Sequence, residues 1–180
     1  MGDQAQILLG PRADLDRETL DSIRTLDYGV DWGHQPDGRS FEWSAPDWVV
    51  LVSVEGRLAS HVGILERDVQ VDGARMPVAG IAGVVTAPEL QGRGYAHTAL
   101  ERATAFIQDG LHVEVALLMA LEHRRSLYEG LGWRVVPNTV MCDHPEGKVQ
   151  LTIPGRYVLW LPSRSATLPP GVIDLCGPPW

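Results

Sequence analysis

The chain is poor in the residues that would commit it to several large classes of protein. Only two of its 180 residues are cysteine, Cys142 and Cys176, and neither has metal-ligand spacing around it. A disulfide-built scaffold and a cysteine-held metal are therefore disfavoured. Two reduced, inert thiols are expected, with a single structural disulfide as the alternative. The six histidines are scattered, so no metal site is expected. No apolar run approaches the roughly 20 residues of a membrane-spanning helix. The first residues lack a basic stretch followed by a long apolar one, and a cytoplasmic location is expected. Positive charge is in deficit, with 15 Lys and Arg against 23 Asp and Glu and a net charge of −8. That balance argues against nucleic acid or an anionic membrane as the main partner and is compatible with a cationic one. No internal repeat and no shift in composition occur, so the chain reads as one domain, residues 1–180, long enough for a single sizeable core.

What is present reads as a mixed α/β domain. Asp14 is placed to cap a helix whose Leu15, Leu20, Ile23 and Leu26 fall roughly on one face. The polar stretch from Tyr28 to Pro46, with tryptophans and the breakers Gly29, Gly33 and Gly38, is too long for a plain connector and suits a binding loop. β-type segments follow: Trp48 to Val54, Leu58 to Leu65 and Val69 to Val71, with turns at Glu55-Gly56-Arg57 and Asp72-Gly73. Met76 to Thr86 carries no charge and reads as a central strand, with a bulge in the Gly80 to Gly83 region. Helices are expected from Arg93 to Gln108 and from Glu122 to Leu131, and strands at Val113 to Met119, Trp133 to Val136, Val149 to Ile153 and Tyr157 to Leu161. The tail from Pro162 to Trp180 is rich in proline and glycine.

The segment Gln91-Gly92-Arg93-Gly94-Tyr95-Ala96 joins the central strand to a helix. A strand end, two glycines and a helix start gather free backbone N–H groups at one point, beside the positive end of the helix dipole. That arrangement suits a phosphate-bearing ligand.

The order of elements, together with this Q-x-x-G-x-A loop, resembles the GNAT superfamily of N-acetyltransferases. A second matching segment is Ser126-Leu127-Tyr128-Glu129-Gly130-Leu131-Gly132-Trp133, where the family carries a tyrosine and then a Gly-aromatic pair leading into a strand. The resemblance covers about residues 12 to 160, with a C-terminal strand and tail at 161–180. It implies a single domain with a mixed, mostly antiparallel sheet flanked by helices. Leu117 to Trp133 looks like the corresponding part of aminoglycoside 2′-N-acetyltransferases. Looser similarity to the nodulation N-acyltransferases appears at His61 to Arg67, Gly94 to His97 and Ile173 to Pro178. Both groups acylate an amine on a sugar.

The resemblance implies acetyl-CoA as donor and a small primary amine, an amino sugar or aminoglycoside-like compound, as acceptor. Backbone groups of Val84 and Thr86 would pair with the pantetheine arm. The amides from Gly92 to Ala96 would hold the pyrophosphate, with Gln91 in the motif and charge added by Arg93. Tyr128 is the expected general acid to the departing thiolate, and the N–H of Val84 or Val85 is the expected oxyanion donor. The base is open between a water relay and a carboxylate such as Glu66, Asp31 or Asp174. For the acceptor the candidates are Asp31-Trp32-Gly33-His34 and Asp174 to Trp180, with Trp32 stacking on a ring and Trp180 meeting an ammonium. Ala82 and Pro178 stand where the aminoglycoside enzymes carry acidic residues. His61 lies on a strand facing core or cleft, and His97 reads as an exposed helix residue. Pairing of two copies through the strands at 149–161 would make a homodimer. A longer acyl-CoA or acyl carrier protein as donor, and a catalytically degenerate acyl-CoA-binding protein, are the alternatives.

Overall fold

The computed structural model describes residues 5–27, 38–113, 115–152, 156–162 and 168–180. The chain enters through strand β1 (Gln6–Pro11), a 3-10 turn at Arg12–Asp14 and helix α1 (Arg17–Asp27). Asp16, not Asp14, caps that helix. Its Oδ1 accepts the Thr19 N–H at 2.7 Å, whereas Asp14 is taken up by the preceding turn. Strand β1 went unread in the sequence because it is short, and it leaves Ile7 and Leu8 about half exposed (47% and 48%), with no burial rhythm to mark it.

Two tight hairpins then build the middle of the sheet. Strands β2 (Trp48–Val54) and β3 (Arg57–Val71) meet at Glu55-Gly56, and β3 and β4 (Ala74–Thr86) meet at Asp72-Gly73. Both turns hold two successive residues at positive φ, 51° and 75° in the first and 47° and 82° in the second. This is the turn whose twist matches that of paired strands. Strand β3 is continuous, although Glu66-Arg67-Asp68 suggested a break. Its charges find partners at the surface: Asp68 with Arg75 across the hairpin, Glu66 with the Trp48 indole N–H at 3.1 Å.

The remaining elements are α2 (Tyr95–Asp109), β5 (Val115–Leu121), a 3-10 turn at Glu122–Arg124 that runs into α3 (Arg125–Glu129), β6 (Arg134–Val135), β7 (Val140–His144), β8 (Gly147–Gln150), β9 (Arg156–Pro162) and β10 (Ile173–Asp174). Among the described residues they form one ten-stranded sheet in the order β6-β9-β5-β4-β3-β10-β7-β8, with β1 and β2 added beside β3. Only β4–β5 and β10–β7 are parallel. The result is a single α/β domain with a mixed, mostly antiparallel sheet and three helices. Among the described residues, no helix is long and apolar enough to cross a membrane.

Alternation along β3 sorts the core into two faces. Val62 and Ile64 face α2, packing with Leu100, Ala103 and Ile107 and with Trp133. Leu65, Val69 and Val71 face the other way, toward Ile173 and Trp180, and Leu51 on the neighbouring β2 packs against Ile23 of α1. Each such side chain contributes about 1.5–3 kcal/mol by leaving water. The C-terminal segment belongs to this second face. Its Trp180 fills the space over Gly80, where any Cβ would overlap the indole, and its indole N–H reaches the Leu117 carbonyl at 3.4 Å. Arg67 lies over the same ring, 5.2 Å from its centroid. Both cysteines are free, and burial pushes the Cys142 thiol up to about 11, which fits an inert role.

Candidate active site

The site begins with a failure of pairing. Strands β4 and β5 are joined only from Val78–Ile81 to Val115–Leu118, while β5 continues alongside β9 as far as Leu121. Beyond Ile81 the two parallel strands therefore diverge. A bulge helps to drive β4 away: Gly63 pairs with Ala82 but His61 pairs with Val85. Gly83 and Val84 thus stand opposite the single residue Val62, with Gly83 at φ 55°. The bulge expected from Gly80 to Gly83 sits at the end of that region, and bulges characteristically re-aim a strand beside a site.

The gap opens into a cleft of about 710 Å³. One wall is β4 from Ile81 to Thr86, then Gln91, Gly92, Gly94, Tyr95 and Ala96; the other is β5 from Leu118 to Leu121 with Tyr128 of α3. Of the cofactor-binding residues predicted from the sequence, all but Arg93 line it; Arg93 is exposed beside the loop. The Ala87 N–H donates to the Ala59 carbonyl at 2.9 Å, so by alternation Thr86 turns its backbone away from β3 and toward the gap. Its carbonyl accepts Gln91 Nε2 at 3.3 Å, which ties the loop to the strand end. Ser60 Oγ donates to the Val85 carbonyl at 2.9 Å, so the contact of 3.0 Å between Ser60 Oγ and Thr86 Oγ1 is donated by the threonine.

The loop has the form of an anion cradle. Gly92 and Gly94 have φ of 74° and 86°, a region that side-chain-bearing residues rarely adopt. A Cβ at either would meet nothing within 4 Å, so the space above both is open to a ligand. Gly94 is the N-cap of α2 and offers no side-chain hydrogen bond, and the first turn has no acidic residue. The first-turn N–H groups of a 15-residue helix are thus left to an external acceptor. These residues fit a diphosphate, and the splayed strand edge fits an extended amide-bearing arm.

The family model of the acetyltransferase (GNAT) domain matches residues 17–136. The chain belongs to the GNAT acetyltransferases. The GNAT fold binds coenzyme A or acetyl-CoA. A GNAT-family N-acetyltransferase from Escherichia coli, solved in complex with CoA, is 14% identical with a TM-score of 0.60, over 98% of this chain and 92% of that one. An acyl-CoA N-acyltransferase from Pseudomonas aeruginosa is 18% identical with a TM-score of 0.60, over 88% and 99%. The ribosomal-protein-S18-alanine N-acetyltransferase from Escherichia coli is 15% identical with a TM-score of 0.55, over 90% and 97%. Identities this low show a shared fold and carry no acceptor. No protein of curated function matches the sequence.

On the α1 side of this GNAT sheet the cleft is closed by Leu26, Trp43, Ser44, Pro46, His61 and Trp180. Of the acceptor candidates read from the sequence, Trp180 lies here. Asp31 and Trp32 fall outside the described residues. Glu66 and Asp174 do not line the cleft. Glu66 is exposed beside Trp48. Asp174 is held by Lys148 at 2.7 Å and by the Cys176 N–H at 2.9 Å. Burial would raise its pKa, but these two hydrogen bonds outweigh burial and leave it below the usual carboxylate range. His97, His123 and Arg124 also line the cleft, whereas none of the described residues lining it is Asp or Glu. Trp43 and Pro46 fell within the loop read as a binding loop. His123 and Arg124 carried no signal that set them apart from surface residues, and Leu26 read as core.

His61 is the feature whose chemistry the sequence did not reveal. It is buried at 3% exposure, and its Nδ1 lies 2.8 Å from the Gly83 carbonyl at the bulge. A carbonyl only accepts, so Nδ1 carries the proton and Nε2 presents a lone pair. That Nε2 has no partner among the described residues. Burial drives the imidazole from 6.5 down to about 4, partly offset by the Gly83 hydrogen bond, and the Arg12 charge lowers it further.

Proposed function

We propose that this protein is an N-acetyltransferase that moves the acetyl group of acetyl-CoA to a primary amine of a small molecule by direct attack in a ternary complex. The observation that carries this reading is the continuous cleft through the β4/β5 splay. The phosphate cradle opens on its α2 side and an acceptor-sized space on its α1 side, so donor and amine can be held together at the strand gap. When bound, acetyl-CoA supplies the activated acetyl group. Gly92, Gly94 and the first turn of α2 would hold its pyrophosphate, Thr86 and the neighbouring Val84 would receive its arm, and the backbone N–H of Val84 would face the developing oxyanion, since Val85 turns its backbone to β3. Tyr128, buried at the cleft wall with 6% exposure, acts as the acid toward the leaving sulfur.

The acceptor is read as an amine on a sugar-like ring. Trp43 and Trp180 line the acceptor side and supply flat apolar surface for a ring. The aminoglycoside-like reading has less support, because no described Asp or Glu lines the cleft to meet several ammonium groups. A longer acyl donor is the second reading; Ala82 and Gly83, both lining the gap, leave room beside the thioester.

Initial rates of thiol release, with acetyl-CoA and a primary amine both varied, test the proposal. Intersecting patterns are expected for a ternary complex. Parallel patterns with an acetylated protein intermediate would overturn direct attack, and turnover confined to long acyl donors would select the second reading.

A further inference from the structure

Three observations bear on the acceptor that this cleft can take. The first is the unpartnered, buried Nε2 of His61, fixed as a lone-pair acceptor because Nδ1 is committed to the Gly83 carbonyl. The second is the composition of the wall around it, Leu26, Trp43, Pro46, Ala82 and Trp180. The third is charge: none of the described residues lining the cleft is Asp or Glu. An orphaned buried acceptor costs free energy unless a ligand satisfies it. The complementary group is an N–H donor carried on an apolar or ring-shaped body. A second ammonium on the same molecule would find no Asp or Glu among the described residues to pair with there.

We infer that this pocket takes a monoamine borne on an uncharged ring, whose nitrogen donates a hydrogen bond to His61 Nε2 and is held by it for attack on the thioester. The inference rests on the N-acetyltransferase reading and narrows its acceptor. In the transfer, the amine nitrogen forms a bond to the thioester carbonyl carbon and the C–S bond breaks. One proton passes from nitrogen to water, and one passes from the Tyr128 hydroxyl to the departing sulfur. Proton exchange with water then restores the phenol. His61 suits this place because it is uncharged when the amine arrives and does not repel it. Its donor on the far side of the ring is held by the bulge that opens the cleft.

The test uses the full chain and two variants chosen by the shape of their amides. His61→Asn places its amide where Nδ1 stands, keeps a donor for the Gly83 carbonyl and removes the acceptor at Nε2. His61→Gln places its amide near Nε2 and keeps an acceptor there. With benzylamine and glucosamine as acceptors, His61→Asn is expected to lower kcat/KM about 100-fold with acetyl-CoA affinity unchanged, and His61→Gln to recover part of that loss. With the wild-type protein, these monoamines are expected to exceed spermidine and kanamycin by about 10-fold or more in kcat/KM. In the CoA-bound protein without acetyl donor, benzylamine is expected to shift the His61 Nε2 resonance in a nitrogen NMR titration. Wild-type rates in His61→Asn, a preference for the polyamines, or an Nε2 resonance unmoved by saturating benzylamine would each overturn the inference. If no amine is acetylated, the N-acetyltransferase reading fails, while the NMR titration still decides whether the pocket binds a monoamine at His61.

Discussion

Acidification should unfold this protein partly through one residue, and the size of the effect follows from where that residue sits. His61 is 3% exposed, and among the described residues its side chain's one hydrogen bond runs from Nδ1 to the Gly83 carbonyl. The folded state therefore favours the neutral ring, with a pKa of about 4 against 6.5. The nearby charge acting on it is the Arg12 guanidinium, which acts in the same direction as burial. Between these two pH values the unfolded chain binds a proton that the folded chain refuses, so stability rises with pH across that window. The contribution is intact above about pH 6.5 and is lost as pH falls toward 4, reaching roughly 3 kcal/mol when both states are protonated. The assay is urea unfolding from pH 7.5 to 4 for the wild type and for His61→Gln, whose side chain does not titrate. The difference between the two proteins removes the contribution of every other group. It should change by roughly 3 kcal/mol across the window, with the wild type losing ground in acid. A difference that stays flat from pH 7 to 4 would refute the idea that the fold holds His61 neutral by burial.

Other perturbations separate structure from chemistry. Tyr128→Phe should lower kcat about 100-fold with the acetyl-CoA dissociation constant unchanged, read by steady-state rates beside cofactor titration; unchanged kcat would remove the tyrosine from the acid role. Gly94→Ala places a side chain at φ 86°, so stability should fall by about 1 kcal/mol and acetyl-CoA affinity by about 10-fold, since the new methyl enters the cradle. Calorimetric titration showing wild-type affinity would count against phosphate binding there. Trp180→Ala empties the space over Gly80 and should cost about 3–5 kcal/mol in denaturant melts; a loss below about 1 kcal/mol would mean that the indole is not part of the core.

Local chemistry was legible in the sequence wherever a single short segment carries it. Glu55-Gly56 and Asp72-Gly73 mark hairpins because only such pairs tolerate two successive positive φ values. Gln91 to Ala96 marks a strand-to-helix cradle because its glycines are needed for the same reason. Features that depend on distant partners were not legible. Glu66-Arg67-Asp68 looked like a strand break because Arg75, Trp48 and Trp180, which accommodate those charges, lie elsewhere in the chain. The tail looked like loose punctuation because its anchor, the space over Gly80, is a hundred residues away. Asp14 and Asp16 both satisfy the pattern of a helix cap, and only the 3-10 turn at Arg12–Asp14 decides between them. His61 was visible as a candidate, but its tautomer and its orphaned Nε2 depend on the bulge that brings the Gly83 carbonyl to 2.8 Å.

The most direct test of the central claim measures two products at once in a mixture of the protein, acetyl-CoA and a primary amine. Free thiol and N-acetylated amine should appear mole for mole, neither forming at that rate without the amine. Tight acetyl-CoA binding with no acetylated product from any amine would contradict acetyl transfer and leave the cleft as a binding site alone.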